Sequence, residues 1–422
     1  MSLEKLYSGN GINIFNIKED RFKTNSISVF FVDKLSRSTV STNALMVSVL
    51  NRGTNKYKET LDLERRKAEL YGLRLDCEGN KHGDLYIMSF QVDVIDDKFT
   101  LGKKSLIEEA FGFIRDVLLD PYIKDGKFEQ KYVDTEKSNL IKMIEATINE
   151  KSEYATCRFL ENMFKDEPFG VNNRGYVEDY AKITNEDLVK NYHRMISSMP
   201  MYIFVAGNVD NDMIMKSTEC FRNLKRDKII SVENTLVKKQ VDKVNVVVDK
   251  MEVIQDKYIM GFRTNVDNDT KDYVSALVYN KILGGGLSSK LFKNVREKNS
   301  LCYYIFSMLD RTKGLMMIST GIEGKNRDIV RQMIMKELNN MKKGDITDFE
   351  IETAKKSIRN SYEATRDTQY GIIGVELRKE LFGYKLGIEE ILEMLDSVTK
   401  EDIMKVSENI VLDTEYVLTT NK

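Results

Sequence analysis

Two strong hydrogen-bond donors, Arg296 and Tyr303, stand seven residues apart at the end of the string Leu283-Gly284-Gly285-Gly286-Leu287-Ser288-Ser289-Lys290-Leu291-Phe292-Lys293-Asn294-Val295-Arg296-Glu297-Lys298-Asn299-Ser300-Leu301-Cys302-Tyr303. A guanidinium and a phenol in that spacing suit a carbonyl oxygen or the oxyanion that develops from it. A plainer reading stands beside this one: an Arg near a helix end meets carbonyls or a carboxylate, and Tyr303-Tyr304-Ile305-Phe306 reads as a core strand. As a phosphate loop the string fails, because Ser289 stands where GxxxxGK[ST] needs a glycine before the lysine. Metal ligands are scarce. Zinc hydrolase sites draw on two or three neutral imidazoles, and the chain has two histidines, His82 and His193. His82 falls in an expected turn, Asn80 to Asp84, and His193 on an expected helix. Only Asp84 stands at ligand spacing from either, so both read as surface or capping residues. Cys77, Cys157, Cys220 and Cys302 form no CxxC pair, which argues against a zinc knuckle or redox motif and for a reduced, cytoplasmic protein.

The elements that must carry these donors follow from periodicity. Ile12 to Phe15 and Ser26 to Val32 alternate as strands of an antiparallel sheet. Asn43 to Asn51 and Leu61 to Tyr71 read as helices, the second stopped by Gly72, before a strand-like stretch from Leu73 to Val94. Helices are expected through 103–119 and 127–164. Thr184-Asn185-Glu186-Asp187 opens a helix to about Ile196 with a capping-box signal, and Tyr202 to Gly207 is a strand. In the donor string, the three glycines end a helix that begins near Asp272, as glycine does routinely just past a helix end. The helix after them places Leu287, Leu291, Phe292 and Val295 on one face, with Arg296 at its end.

The 422 residues are 41% hydrophobic, enough for more than one core. Sixty-five Lys and Arg against 66 Asp and Glu leave a net charge of -1, so no basic field points to nucleic acid or an anionic membrane. A neutral or peptide-like partner fits better. The start has no basic region followed by an apolar stretch, and no window approaches 18 apolar residues, so neither a signal peptide nor a membrane span is expected. The first half also recurs in the second. Asn43 to Gly53 matches Ser275 to Gly285, with Ala44 on Ala276 at an offset of 232; Ile183 to Leu188 matches Val398 to Ile403, at an offset of 215. The order is kept, which indicates duplication. Domains are therefore expected over 1–222 and 244–422, joined by a Lys-, Asp- and Asn-rich linker at 223–243.

The donor string resembles the second-domain signature of the insulinase and mitochondrial-processing-peptidase family, the inverted-zinc-motif peptidases, which runs LGGGxSSRLFxxxREKxGLxY. Gly53-Thr54, Glu69 to Gly72, Pro121, Glu167-Pro168-Phe169-Gly170, Ile183 to Leu188 and Ala206 to Asp210 also fall where that family's features are expected. The resemblance implies an α+β fold of two homologous domains, each an antiparallel sheet covered by helices, closing like a clam around a peptide chamber.

It also marks what is missing. Active members carry HxxEH on the first long helix, two His on one face binding zinc and the Glu activating water. The corresponding positions here hold Ala44, Val47 and Ser48, and the family's third ligand, a Glu, falls at Met143; Glu145 is two residues away and faces another side. Such side chains offer no donors to offset a dication's lost hydration. Arg296 and Tyr303 match the family's Arg and Tyr, which bind substrate or the tetrahedral intermediate, and in two-subunit members can come from the chain that lacks zinc. The resemblance thus implies a zinc-less bacterial subunit of a two-subunit pair, binding no cofactor itself, with zinc in a paralogous partner and a peptide or protein as substrate. A peptide-binding or scaffold protein with no role in hydrolysis is the alternative it leaves open.

Overall fold

The computed structural model describes residues 2–101, 105–236, 238 and 240–420. Lys103 and Lys104 of one expected helix, and Val237 and Lys239 of the expected linker, lie outside them. The chain forms two compact units. The first comprises Met1–Ala146, Val171–Glu233 and Gln369–Gly374; the second comprises Thr147–Gly170, Asn234–Thr368 and Val375–Lys422.

The first unit begins with strands β1 (Ser2–Gly9), β2 (Ile12–Lys18) and β3 (Thr24–Lys34), then helices α1 (Val40–Leu50) and α2 (Thr60–Glu69) and strands β4 (Arg74–His82) and β5 (Leu85–Ile95). Helix α3 (Leu106–Leu119), a short hairpin of β6 (Ile123–Lys124) and β7 (Lys127–Phe128), and α4 (Gln130–Thr147) follow; α5 (Lys151–Met163) belongs to the second unit. The first unit resumes with α6 (Val177–Tyr180), α7 (Asn185–Ser198), β8 (Met201–Gly207), α8 (Asn211–Ser217) and α9 (Glu219–Arg222). Its sheet runs β1-β2-β8-β3-β5-β4, with β2 and β8 parallel and the other neighbours antiparallel. Helix α1 is buried on nearly every side, as its run of Val, Leu and Met requires.

The second unit adds β9 (Asn245–Lys250), β10 (Asp256–Arg263), α10 (Lys271–Leu283), β11 (Cys302–Asp310), β12 (Leu315–Ile322), α11 (Arg327–Lys342), α12 (Asp348–Arg366), the part of α13 (Gln369–Phe382) from Val375 onward, α14 (Ile388–Asp396), α15 (Lys400–Asn409) and β13 (Val411–Thr419). Its sheet runs β9-β13-β10-β12-β11, again with one parallel pair, β13 with β9. Without β1, the first sheet has the same order, strand for strand. Helices α7 and α15, the second matched pair in sequence, both start with a Thr-x-x-Asp capping box.

Three local expectations are corrected. The helix expected through 127–164 breaks after Thr147, and its second part, α5, packs Ala155, Phe159 and Met163 on Ile259, Met317, Tyr416 and Leu418 of the second sheet. A cut at 223–243 therefore does not separate the compact units. Leu287 lies in a turn and is 74% exposed, because the helix after the glycines starts later, at Lys290; Leu291 and Val295 are its buried apolar residues. His82 ends β4, paired with Leu85, and the turn falls at Gly83 and Asp84.

Candidate functional site

The four positions expected to stand where the family has its zinc site, Ala44, Val47, Ser48 and Met143, sit on two helices of the first unit. On α1, Ala44 and Val47 are buried and Ser48 is half-buried. The Ser48 hydroxyl donates back to the Ala44 carbonyl at 3.3 Å, a bond that ties a helical serine to its own preceding turn. Met143 on α4 is 49% exposed, and Glu145 is exposed. A methyl, an isopropyl and a thioether, with one hydroxyl already committed, do not fit zinc, which takes imidazole, thiolate or carboxylate donors. Among the described residues no three His, Cys, Asp or Glu are grouped to hold a metal ion.

What fixes this region is polar but closed. Asp33 of β3 accepts from both terminal nitrogens of Arg194, at 3.1 and 2.6 Å, and from Asn43 at 2.9 Å. Asn191 completes the set by donating to Asn43 at 3.0 Å. Farther along, Arg52 at the end of α1 pairs with the buried Glu136 of α4, which also accepts from Asn139. Each charge here has a partner, so the network positions α1 and leaves no group for chemistry.

The two donors stand in the second unit. Residues Phe292–Glu297 form a turn of π-helix, a widening that recurs at functional sites. There Arg296 is exposed with its guanidinium 4.9 Å over the ring of Phe292, which limits where the charge can swing. The helix ends through Ser300 N–H to the Arg296 carbonyl and Leu301 N–H to the Val295 carbonyl. Ser300 takes φ +51°, a left-handed conformation, at the position where the family pattern REKxGLxY has glycine. Sequence reading passed over this departure; the pattern itself carried the signal.

Tyr303 follows at a β-bulge. Cys302 pairs with Ile322 and Tyr304 with Gly321, so Tyr303 is the extra residue, and it is 53% exposed. Bulges re-aim side chains, and this one turns a tyrosine out of the ladder at the start of an edge strand. Burial pushes the intervening Cys302 thiol up, against the opposing pulls of Thr320 and the Arg296 charge. Arg296 thus stands within electrostatic reach of the residue next to Tyr303.

The triple glycine serves the same strand. Gly284 has φ -150°, so it is no left-handed cap. Its carbonyl accepts the outward Ser307 N–H at 2.9 Å, and a Cβ there would lie 2.6 Å from the Ser307 hydroxyl oxygen. Glycine is required by close approach, and it covers the edge of β11 at Ser307. Ladder alternation points the backbone groups of Ile305 the same outward way. Tyr304, Phe306 and Met308 share one face of β11; Phe306 and Met308 are 41% and 49% exposed, and the Tyr304 ring stacks near Phe306 at 6.0 Å. Arg296 and Tyr303 therefore stand exposed at one end of an edge strand with a partly open apolar face.

A family model described as "Peptidase M16 inactive domain" matches residues 182–358. The chain is 31% identical over 408 residues to "Probable inactive metalloprotease YmfF" of Bacillus subtilis, covering 97% of this chain and 96% of that protein. It is 26% identical over 306 residues to "Uncharacterized zinc protease ML0855" of Mycobacterium leprae, covering 70% and 66%. Among solved structures, a conserved protein from Enterococcus faecalis superposes with a TM-score of 0.93 at 27% identity, covering 100% of this chain and 98% of the other.

Proposed function

The chain belongs to the peptidase M16 family as an inactive-type homologue, and from that premise we propose that it is the non-catalytic subunit of a heterodimeric zinc peptidase. It lends Arg296 and Tyr303 to a substrate held at the zinc of a paralogous partner. The observation that carries this reading is the contrast between the two sets of positions. Ala44 and Val47 are apolar and buried, whereas Arg296 and Tyr303 are exposed and positioned by a ring contact and a bulge. A pair of donors placed on solvent, with no metal site of its own, suits a substrate that another chain brings to it. The edge strand supports an extended peptide as that substrate, because Ile305 offers backbone groups and Tyr304, Phe306 and Met308 offer apolar contact.

We place the protein in the cytoplasm on its four free cysteines. No helix among the described residues is long and apolar enough to cross a membrane. The test is co-purification from the native host followed by a peptidase assay with and without chelator. A chelator-sensitive activity that needs both chains is expected. The same β11 features favour a second reading, a peptide-binding scaffold with no part in hydrolysis; co-purified peptide without any chelator-sensitive activity would select it.

A further inference from the structure

Each half of the sequence lends a segment to the compact unit built mostly from the other half. Thr147–Gly170 comes from the first half and belongs to the second unit; Gln369–Gly374 comes from the second half and belongs to the first.

The first loan is deeply seated. Phe159 and Ala155 are fully buried and Met163 nearly so, in a core shared with Ile259, Met317, Tyr416 and Leu418. The receiving sheet is cut to fit: a Cβ on Gly261 would come 2.4 Å from the Phe159 ring and 2.6 Å from the Met163 sulfur. Polar bonds fix the same segment. Arg263, 1% exposed, reaches Glu167 at 3.2 Å and the Met163 carbonyl at 3.4 Å, while Lys313 meets Glu167 at 2.8 Å. On the outside, Arg158 bonds Asp249 at 3.0 Å. The second loan is smaller but specific. The buried Gln369 amide donates to the carbonyls of Thr24 at 2.7 Å and Ala206 at 2.6 Å, and its oxygen accepts from the Thr24 hydroxyl at 2.9 Å.

The connecting stretch contributes little by comparison. From Leu224 to Val244 the described residues form no helix or strand. Arg226 and the N–H groups of Asp227 and Ile230 bind backbone carbonyls of 196–199. Asn234 donates to the Thr312 carbonyl and Lys313 to that of Thr235. Between these two sets of anchors lie only Ser231, Val232 and Glu233.

We infer that this connection is dispensable as a covalent tether: a chain cut at Val232-Glu233 stays a single folded, two-piece protein, held by the exchanged segments. A site-specific protease sequence inserted between Val232 and Glu233 of the full chain, cut after folding, tests it. The two pieces are expected to elute together at the uncut position in native buffer, with an unchanged circular-dichroism spectrum. In the cut protein, Phe159→Ala with Gln369→Ala should raise the dissociation constant of the pieces at least tenfold, while the uncut double variant keeps the parental spectrum and elution. Gln369→Ala alone, which leaves the α5 core intact, should raise it several-fold. Pieces that part as soon as the parent chain is cut would overturn the inference, and so would variants that hold together as tightly as the cut parent.

Discussion

At the scale of single residues, the proposed division of a peptidase site rests on two groups of positions in different surroundings. Ala44 and Val47 are buried and Ser48 half-buried in a helix packed on nearly every side. Arg296 and Tyr303 remain outside it. The expectation at these five positions and at Met143 came from motif spacing; their burial did not, since an Ala, a Val and a Met read alike whether or not a cavity faces them. Ser300 makes a further prediction. A non-glycine residue in the left-handed region costs about 1–2 kcal/mol, part of which glycine's greater chain entropy returns. Ser300→Gly should therefore raise the urea midpoint, by up to about 1 kcal/mol of stability; an unchanged or lower midpoint would mean the strand start needs the serine itself. The buried pair of Arg263 and Asp413, 2.9 Å apart, predicts the opposite sign. Asp413→Ala removes the nearer carboxylate from a guanidinium that is 1% exposed and leaves it Glu167 at 3.2 Å, and a loss of about 3 kcal/mol is expected in equilibrium unfolding.

At the scale of elements, capping chemistry fixed several boundaries correctly and periodicity failed where units exchange chain. Thr184 opens α7 as its capping box indicated, with its hydroxyl accepting from Asp187 N–H at 3.1 Å while its own N–H and hydroxyl donate to the Asp187 carboxylate. Thr184→Ala is expected to cost about 1 kcal/mol. Bonds from the Thr184 backbone and hydroxyl hold Asp187 below the usual carboxylate range. At α15, burial pushes Asp402 up, but Lys271 and Thr399 outweigh it and the net shift is downward. Groups depressed in the folded state stabilise fully above their unfolded value, near 3.9 for Asp, and lose that contribution as pH falls through the folded value. Stability should thus fall below about pH 4, and less steeply in Asp187→Asn with Asp402→Asn; an equal acid slope in that variant would contradict the assignment. The break after Thr147 was not legible, because helical spacing on both sides gives no sign that the two pieces serve different cores. Nor was the π-turn at Phe292–Glu297, which no residue type in that stretch announces.

At the scale of the whole molecule, two short sequence matches stood for a duplication that the sheets express strand by strand, β2-β8-β3-β5-β4 against β9-β13-β10-β12-β11. The duplication places the Ala44 helix beside one core and the strand start at Arg296 and Tyr303 beside another, so substitutions at one need not disturb the other. Composition alone pointed only as far as a neutral or peptide-like partner. Under the proposed function the poverty in histidine becomes specific: the chain would carry substrate contacts and take its metal from another chain. The most direct measurement is turnover of a peptide by the reconstituted pair, this chain with a zinc-bearing paralogue, comparing the parent with Arg296→Ala and Tyr303→Phe. Both side chains are exposed, so the pair should assemble as before while turnover falls about a hundredfold for either change, the usual cost of one lost oxyanion donor. Unchanged turnover in an intact pair would contradict the donor role, and with it the proposed division of the site between two chains.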